Sequence, residues 1–307
     1  IMTNLKKLGL TALAGSLVAT SGYAGSLDVA GAAKVSYVSK DETEVTGNPF
    51  SMTRDINFAG SGEMDNGMTI SYHQLLSAGA FSSSGLKLDM GDSGTLSFAN
   101  GTSQGHGIGA YEDKMPTAAE QVWDDMDGQA NGVLTKNGVN KIGYGSTFAG
   151  ANFSIDYNKQ EDGGSAKSFG VDYAPADGAM VFLAMSDEYS GPSTSTGQAT
   201  FGGTYTAGAT TLGIQRTSID FSAANSDVDR THLAASFAVN EDLSVSLGMS
   251  TVEFEAAAKV DQEDSGFSVS YTMGSMTIAA AANASDNVGG TNGTDDTHKE
   301  MSIAFAF

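Results

Sequence analysis

The stretch Gly101–Gly138, GTSQGHGIGAYEDKMPTAAEQVWDDMDGQANGVLTKNG, gathers a dense set of side chains with chemical potential. It holds six acids, Glu112, Asp113, Glu120, Asp124, Asp125 and Asp127, against Lys114 and Lys136, and the only tryptophan, Trp123. Carboxylates at this density can ligate a cation, do acid–base work or set a field. Asp124-Asp125-Met126-Asp127-Gly128 looks like part of a calcium loop but lacks the EF-hand spacing and its distal Glu. Gly289-Gly290-Thr291-Asn292-Gly293-Thr294-Asp295 echoes the calcium-binding nonapeptide only once. Calcium is therefore the one metal these stretches suggest, and no other cofactor is implied. Catalysis needs a nucleophile, a base and an orienting group together. The chain has no Cys. Its four histidines, His73, His106, His232 and His298, sit in no recognisable catalytic motif. Gly105-His106-Gly107-Ile108-Gly109 lacks the strand–helix context of a dinucleotide loop. An enzyme is not expected, which leaves the electrostatic role.

A loop of this length without alternation is usually functional. Pro116–Met126 is compatible with a short helix, with Pro116 near its first position, and its apolar residues need something to pack against. Such a loop could fold inward; an ordinary external loop is the alternative. What holds it is a series of alternating segments, sixteen in number and about ten residues each, the length that crosses a bilayer as a tilted strand. They open with Leu27–Ser39, Phe50–Gly60, Met68–Ala78, Ala80–Met90 and Gly94–Asn100, resume after the loop at Val139–Phe148, and close with Thr297–Phe307. Connections alternate between short turns, such as Ala149–Gly150 and Asn240–Asp242, and longer loops, such as Lys40–Pro49 and Asp286–Asp296. Phe153, Ile155 and Tyr157 alternate with Asn152, Ser154 and Asp156; Phe267, Val269 and Tyr271 alternate with Ser268, Ser270 and Thr272. Each strand thus has one apolar and one polar face.

A soluble sandwich gives the same alternation. Three features favour a membrane barrel: the polar faces are mostly uncharged mid-strand, charge collects in the long loops, and aromatics recur near strand ends (Phe58, Phe148, Tyr173, Tyr205, Phe254, Phe307). The N-terminus agrees with export. Lys6 and Lys7, an apolar run from Leu8 to Ala19 and small residues before Ala24 make a secretory signal peptide over residues 1–24, leaving 25–307 as one barrel domain. The net charge of −21 disfavours nucleic acid, whose phosphates would be repelled. High Gly, 39 residues, with only four Pro suits strands and turns rather than a disordered linker.

Side-chain parity then places charges on the wall. With Val35 and Tyr37 outward, Lys34 points inward; with Leu86 and Leu88 outward, Lys87 does; with Ile70 and Tyr72 outward, His73 does. Arg54 shares the parity of Ile56 and Phe58, which sends it outward unless a bulge intervenes. Acids on an infolded loop opposite bases on the wall would put a transverse field across a narrow pore and select solutes by charge and polarity.

The whole chain resembles the general diffusion porins of Gram-negative bacteria, in particular the alphaproteobacterial branch. The resemblance rests on the signal peptide, the opening Leu27-Asp28-Val29-Ala30-Gly31, the stretch Arg54-Asp55-Ile56-Asn57-Phe58-Ala59-Gly60-Ser61-Gly62-Glu63-Met64-Asp65-Asn66-Gly67, the acidic loop and the closing Phe307. It implies an all-β fold, a 16-stranded antiparallel transmembrane β-barrel with an infolded third loop (101–138), assembled as a homotrimer in the outer membrane. It implies passive diffusion of small hydrophilic solutes and ions, with a mild cation preference given the surplus of acids. It places constriction acids among Glu112, Asp113, Glu120, Asp124, Asp125 and Asp127 and wall bases among Lys34, Arg54 and Lys87. By the same resemblance Phe305 and Phe307 belong to the signal read by the outer-membrane assembly machinery, and lipid and lipopolysaccharide surround the barrel. The wall is poorer in Arg than the family's usual pattern. A substrate-specific outer-membrane channel and a soluble β-rich adhesin are the other readings.

Overall fold

The structure, a computed structural model, describes residues 25, 27–40, 48–101, 105–112, 114–124, 126–127, 132–134, 140–159, 164–189 and 196–307. The segment 1–24 assigned to a signal peptide lies outside these residues. Sixteen strands follow one another: β1 Leu27–Lys40, β2 Phe50–Glu63, β3 Thr69–Ser77, β4 Ala80–Asp89, β5 Thr95–Asn100, β6 Lys141–Phe148, β7 Ala151–Lys159 and β8 Ser165–Ala176. Then come β9 Ala179–Tyr189, β10 Thr196–Ala207, β11 Thr210–Phe221, β12 Val228–Ala238, β13 Leu243–Phe254, β14 Gln262–Met273, β15 Met276–Asp286 and β16 Asp296–Ala306. Every strand pairs antiparallel with its sequence neighbours, and β1 pairs with β16, so the sheet closes on itself. Closure leaves no open edge among the strands. The final residue is tied in as well: Phe307 and Gly31 exchange backbone hydrogen bonds at 2.6 and 2.9 Å.

Turn chemistry makes the tight connections possible. Ala149-Gly150 joins β6 to β7 with both residues at positive φ, the geometry of a two-residue hairpin that matches strand twist. Ala78-Gly79 does the same between β3 and β4.

The two faces divide as alternation demands. Ile142, Phe153, Ile155, Phe201, Leu212, Leu247 and Met249 are exposed on the outside, while Ser154, Asp156, Thr200, Gln215, Ser246 and Ser268 are buried within. This inverts a soluble protein, in which large apolar residues go inside. A continuous apolar exterior of this extent needs an apolar solvent. No helix among the described residues is long and apolar enough to cross a membrane; the strands are the crossing elements. The soluble sandwich is thereby set aside, since the described strands form one closed sheet with no second sheet packed on it.

Wall height is uneven. β3 to β7 run from six to ten residues, whereas β8 to β16 have eleven or twelve. The space inside is partly filled by the described residues between β5 and β6, which turn into the barrel rather than outward.

Candidate functional site

The loop is fastened to the inner wall by three kinds of contact. First are backbone amides on wall hydroxyls: Gly107 N donates to Ser154 Oγ at 3.0 Å, Ile108 N to Ser168 Oγ at 3.0 Å, Ala118 N to Ser246 Oγ at 2.9 Å and Ala119 N to Ser268 Oγ at 3.1 Å. Second are two apolar clusters. Ile108, Tyr111 and Val133 pack on Phe182 and Ala184 of β9; Met115, Val122 and Trp123 pack on Val228 of β12 and Val252 of β13. Third are slots left by glycines. A Cβ on Gly143 or Gly145 would lie within 3 Å of the His106 ring, on Gly170 at 2.3 Å from Tyr111, on Gly213 at 2.4 Å from Pro116 and on Gly248 at 2.6 Å from Val122. Glycine inside a strand often marks a close approach of this kind.

Followed along the chain, these contacts run from β6–β8 past β9, β11 and β13 to β15 and β16. Asn283 Nδ2 donates to Gln121 O at 3.0 Å, and Asp127 N donates to Asp296 Oδ2 at 2.9 Å. The return limb meets β10, where Leu134 N donates to Gln198 Oε1 at 2.9 Å. The loop lines the inner wall from β6 to β16. The inward faces of β2, β3 and β4, carrying Asp55, His73 and Lys87, border the rest of the lumen.

The helix expected over Pro116–Met126 does not form among the described residues there. The backbone instead makes single turns, with Asp124 N donating to Gln121 O at 3.1 Å and Met126 N to Trp123 O at 3.4 Å. Wall hydroxyls take the amides of Ala118 and Ala119, so the segment follows the barrel curve. A short 3₁₀ turn occurs instead at Ile108–Tyr111.

The acids sort into different positions. Glu120 reaches Lys34, at 3.8 Å, and Lys34 also meets Glu300 of β16 at 2.5 Å. Here loop acid and wall base touch directly instead of facing each other across an aperture. Asp124 uses Oδ2 to accept from Gln121 N at 2.7 Å, closing its own turn. Asp127 is exposed, and Glu112 is half-buried just past the 3₁₀ turn. Asp113 and Asp125 lie outside the described residues. Lys87 faces inward opposite Ser71, next to His73 on the neighbouring strand. Arg54 needs correcting as a wall base. It pairs with Ala33 in an unbroken β1–β2 register, on the face of Met52 and Ile56, and points out of the barrel.

Parity applied only to the early strands misses other lumen charges. Arg230 and His232 of β12 are fully buried on the inner face, and His232 lies against Trp123 with ring centroids 4.3 Å apart. Lys141 and Asp156 form a buried ion pair at 3.1 Å behind the loop root. Alternation with outward Thr231 and Leu233, or Ile155 and Tyr157, is the signal that finds them. At the same root, burial and the nearby Lys87 hold the His106 imidazole below its usual value, against an opposing pull from Asp156. Burial and Asp172 push the Tyr111 phenol well above its usual value, so it stays a donor to Asp172 Oδ2, 3.0 Å away. Among the described residues no three acidic or histidine side chains are placed to hold a metal. Asp125 and Gly128 of the calcium-like stretch are not among them.

No protein-family model matches the chain, and no curated protein sequence matches it. Solved structures do. A mutant porin of Rh. blastica superposes with a TM-score of 0.64 at 13% identity, covering 92% of this chain and all of the porin. OmpT, an outer membrane protein of Vibrio cholerae described in a trimer form, superposes with a TM-score of 0.71 at 13% identity over 92% of this chain and all of its own. The chain therefore has the porin fold: a closed 16-stranded antiparallel barrel.

Proposed function

We propose that this chain is an outer-membrane porin, a water-filled pore for passive diffusion of small hydrophilic solutes and ions. One observation carries the reading: an inside-out closed barrel whose long loop is stapled along the wall from β6 to β16. That arrangement narrows the lumen at β1–β4 and leaves polar Lys34, Asp55, His73 and Lys87 to line it. A mild cation preference follows from the surplus of carboxylates, since Glu120 and Glu300 together outweigh Lys34.

The wall at β2–β5 supports a homotrimer. Arg54 and Gln74 face outward there, and the β3–β4 hairpin ends level with Arg54, seven residues short of the end of β1. A lipid-facing Arg near mid-bilayer costs about 2–4 kcal/mol, and turn backbone is not tolerated against lipid. Protein cover resolves both, and a second copy of the same chain is the cover we infer. The trimeric form of the Vibrio cholerae relative in fold points the same way. On this reading residues 1–24 are removed on export, Phe305 and Phe307 serve recognition by the assembly machinery, and lipid and lipopolysaccharide contact the taller wall. Swelling of liposomes carrying the purified protein tests the pore: uptake of neutral sugars should slow steadily as their size rises. Uptake of a single sugar irrespective of size would favour a substrate-specific channel.

A further inference from the structure

The connections β11–β12 and β13–β14 lie at the same end of the barrel as the connection β5–β6. Between these two connections is a cavity of about 370 Å³, within the size range of small-ligand sites. Its floor is apolar and is made by Phe221, Val228 and Phe254. Val228 and Phe254 are cross-strand partners on the inner face of the wall. The floor is backed by protein, because the same three residues pack on the Met115–Trp123 cluster that anchors the loop. Phe221 and Phe254 are only half-buried, so both still present apolar surface to a solute.

Two charged side chains line the cavity, Asp227 and Lys259. Asp227 is used by its own connection: its Oδ1 accepts from Phe221 N at 2.8 Å. Lys259 is held by other means. Its stem lies against Gly290, where an added Cβ would come 2.8 Å from Lys259 Cδ, and Val260 N donates to Gly290 O at 3.2 Å to fix that approach. Its Nζ stands 4.3 Å from the centre of the Phe254 ring. The side chain is exposed, and among the described residues no carboxylate lies within ion-pair distance of it. A positioned ammonium with its charge unspent, beside an aromatic floor, suits an anion. An aliphatic anion as small as acetate would use the charge and leave the floor in water. A ring that carries a carboxylate uses both.

We propose that this cavity binds small aromatic carboxylates, with the ring on Phe221, Val228 and Phe254 and the carboxylate on Lys259. Occupation of the site does not require conduction, so the proposal goes beyond the pore reading and stands apart from it.

The test is saturation-transfer NMR on the full protein in deuterated detergent, with the signal of protein-free micelles subtracted. The probes are benzoate, benzyl alcohol and acetate. Benzoate should give a saturable signal on its ring protons. Benzyl alcohol keeps the ring without the charge and should bind about fivefold more weakly, the scale of one exposed ion pair. Acetate keeps the charge without the ring and should give no saturable signal. Lys259→Met keeps the stem against Gly290 and removes the ammonium. It should weaken benzoate about fivefold and leave benzyl alcohol unchanged. Lys259→Glu should prefer benzylamine to benzoate, and it serves if Lys259→Met fails to assemble. Benzyl alcohol bound as tightly as benzoate, or no saturable benzoate signal, overturns the site. Unaltered benzoate binding in either folded variant overturns it too. None of these readings uses a current, so a protein that fails to conduct would remove the pore reading and leave them in place.

Discussion

At the scale of single residues, His106 makes the attachment of the loop sensitive to pH. Its folded value is held below 6.5 by burial and by Lys87. Below that pH the unfolded chain takes up a proton that the folded one refuses, so stability falls as pH drops through 6.5 and levels off below the folded value. Above 6.5 the ring is neutral in both states and contributes no slope. Many carboxylates titrate as well, so the difference between two proteins is the useful quantity. The heat-induced gel shift of the natural chain should move to lower temperature between about pH 8 and about pH 5 by more than that of His106→Phe; equal movement would contradict the assignment. Trp123 acts through packing. Trp123→Ala empties a site against Met115, Val228 and Val252, a change worth about 3–5 kcal/mol in a core. The loss falls on the loop, so the amides of Ala118 and Ala119 should exchange hydrogen about a hundredfold faster or more while the barrel stays folded.

At the scale of elements, the strands are legible in sequence and the path of the loop is not. Ala80–Met90, Gly94–Asn100 and Thr297–Phe307 each lie within one residue of an observed strand at both ends, because period-two alternation and turn glycines are local signals. Lys34, His73 and Lys87 follow from the same parity, and Arg54 is sent outward by that parity, against its place among the wall bases implied by family resemblance. The route of the loop depends on contacts far apart in sequence, such as Ile108 with Ser168 and Gln121 with Asn283, which no local pattern announces. The inward glycines of β6, β8, β11 and β13 are the trace it leaves in sequence, legible once a strand interior is asked why it lacks a side chain. They make a prediction of their own. Gly213→Val places carbon where Pro116 Cδ now lies, so the loop should lift from β11. Open-channel current noise should rise several-fold, with strand content by circular dichroism unchanged; quiet channels would mean that this contact does not hold the loop.

At the scale of the whole molecule, one apolar band runs outside, one polar lumen runs inside, and one low sector of wall breaks the symmetry. The low sector ties assembly to Arg54. Arg54→Glu reverses a charge at the inferred contact between copies, and it should shift the detergent-solubilised protein from trimer toward monomer on native gels. An unshifted trimer would place the contact elsewhere on the barrel. The loop is fastened within one copy, along the wall from β6 to β16, so narrowing of the lumen does not depend on neighbouring copies. An open, water-filled lumen must conduct, and conductance of the purified protein in planar bilayers decides whether it does. Discrete current steps, grouped in threes and growing in proportion to salt concentration, are expected. A folded, membrane-inserted protein that passes no current would contradict an open lumen.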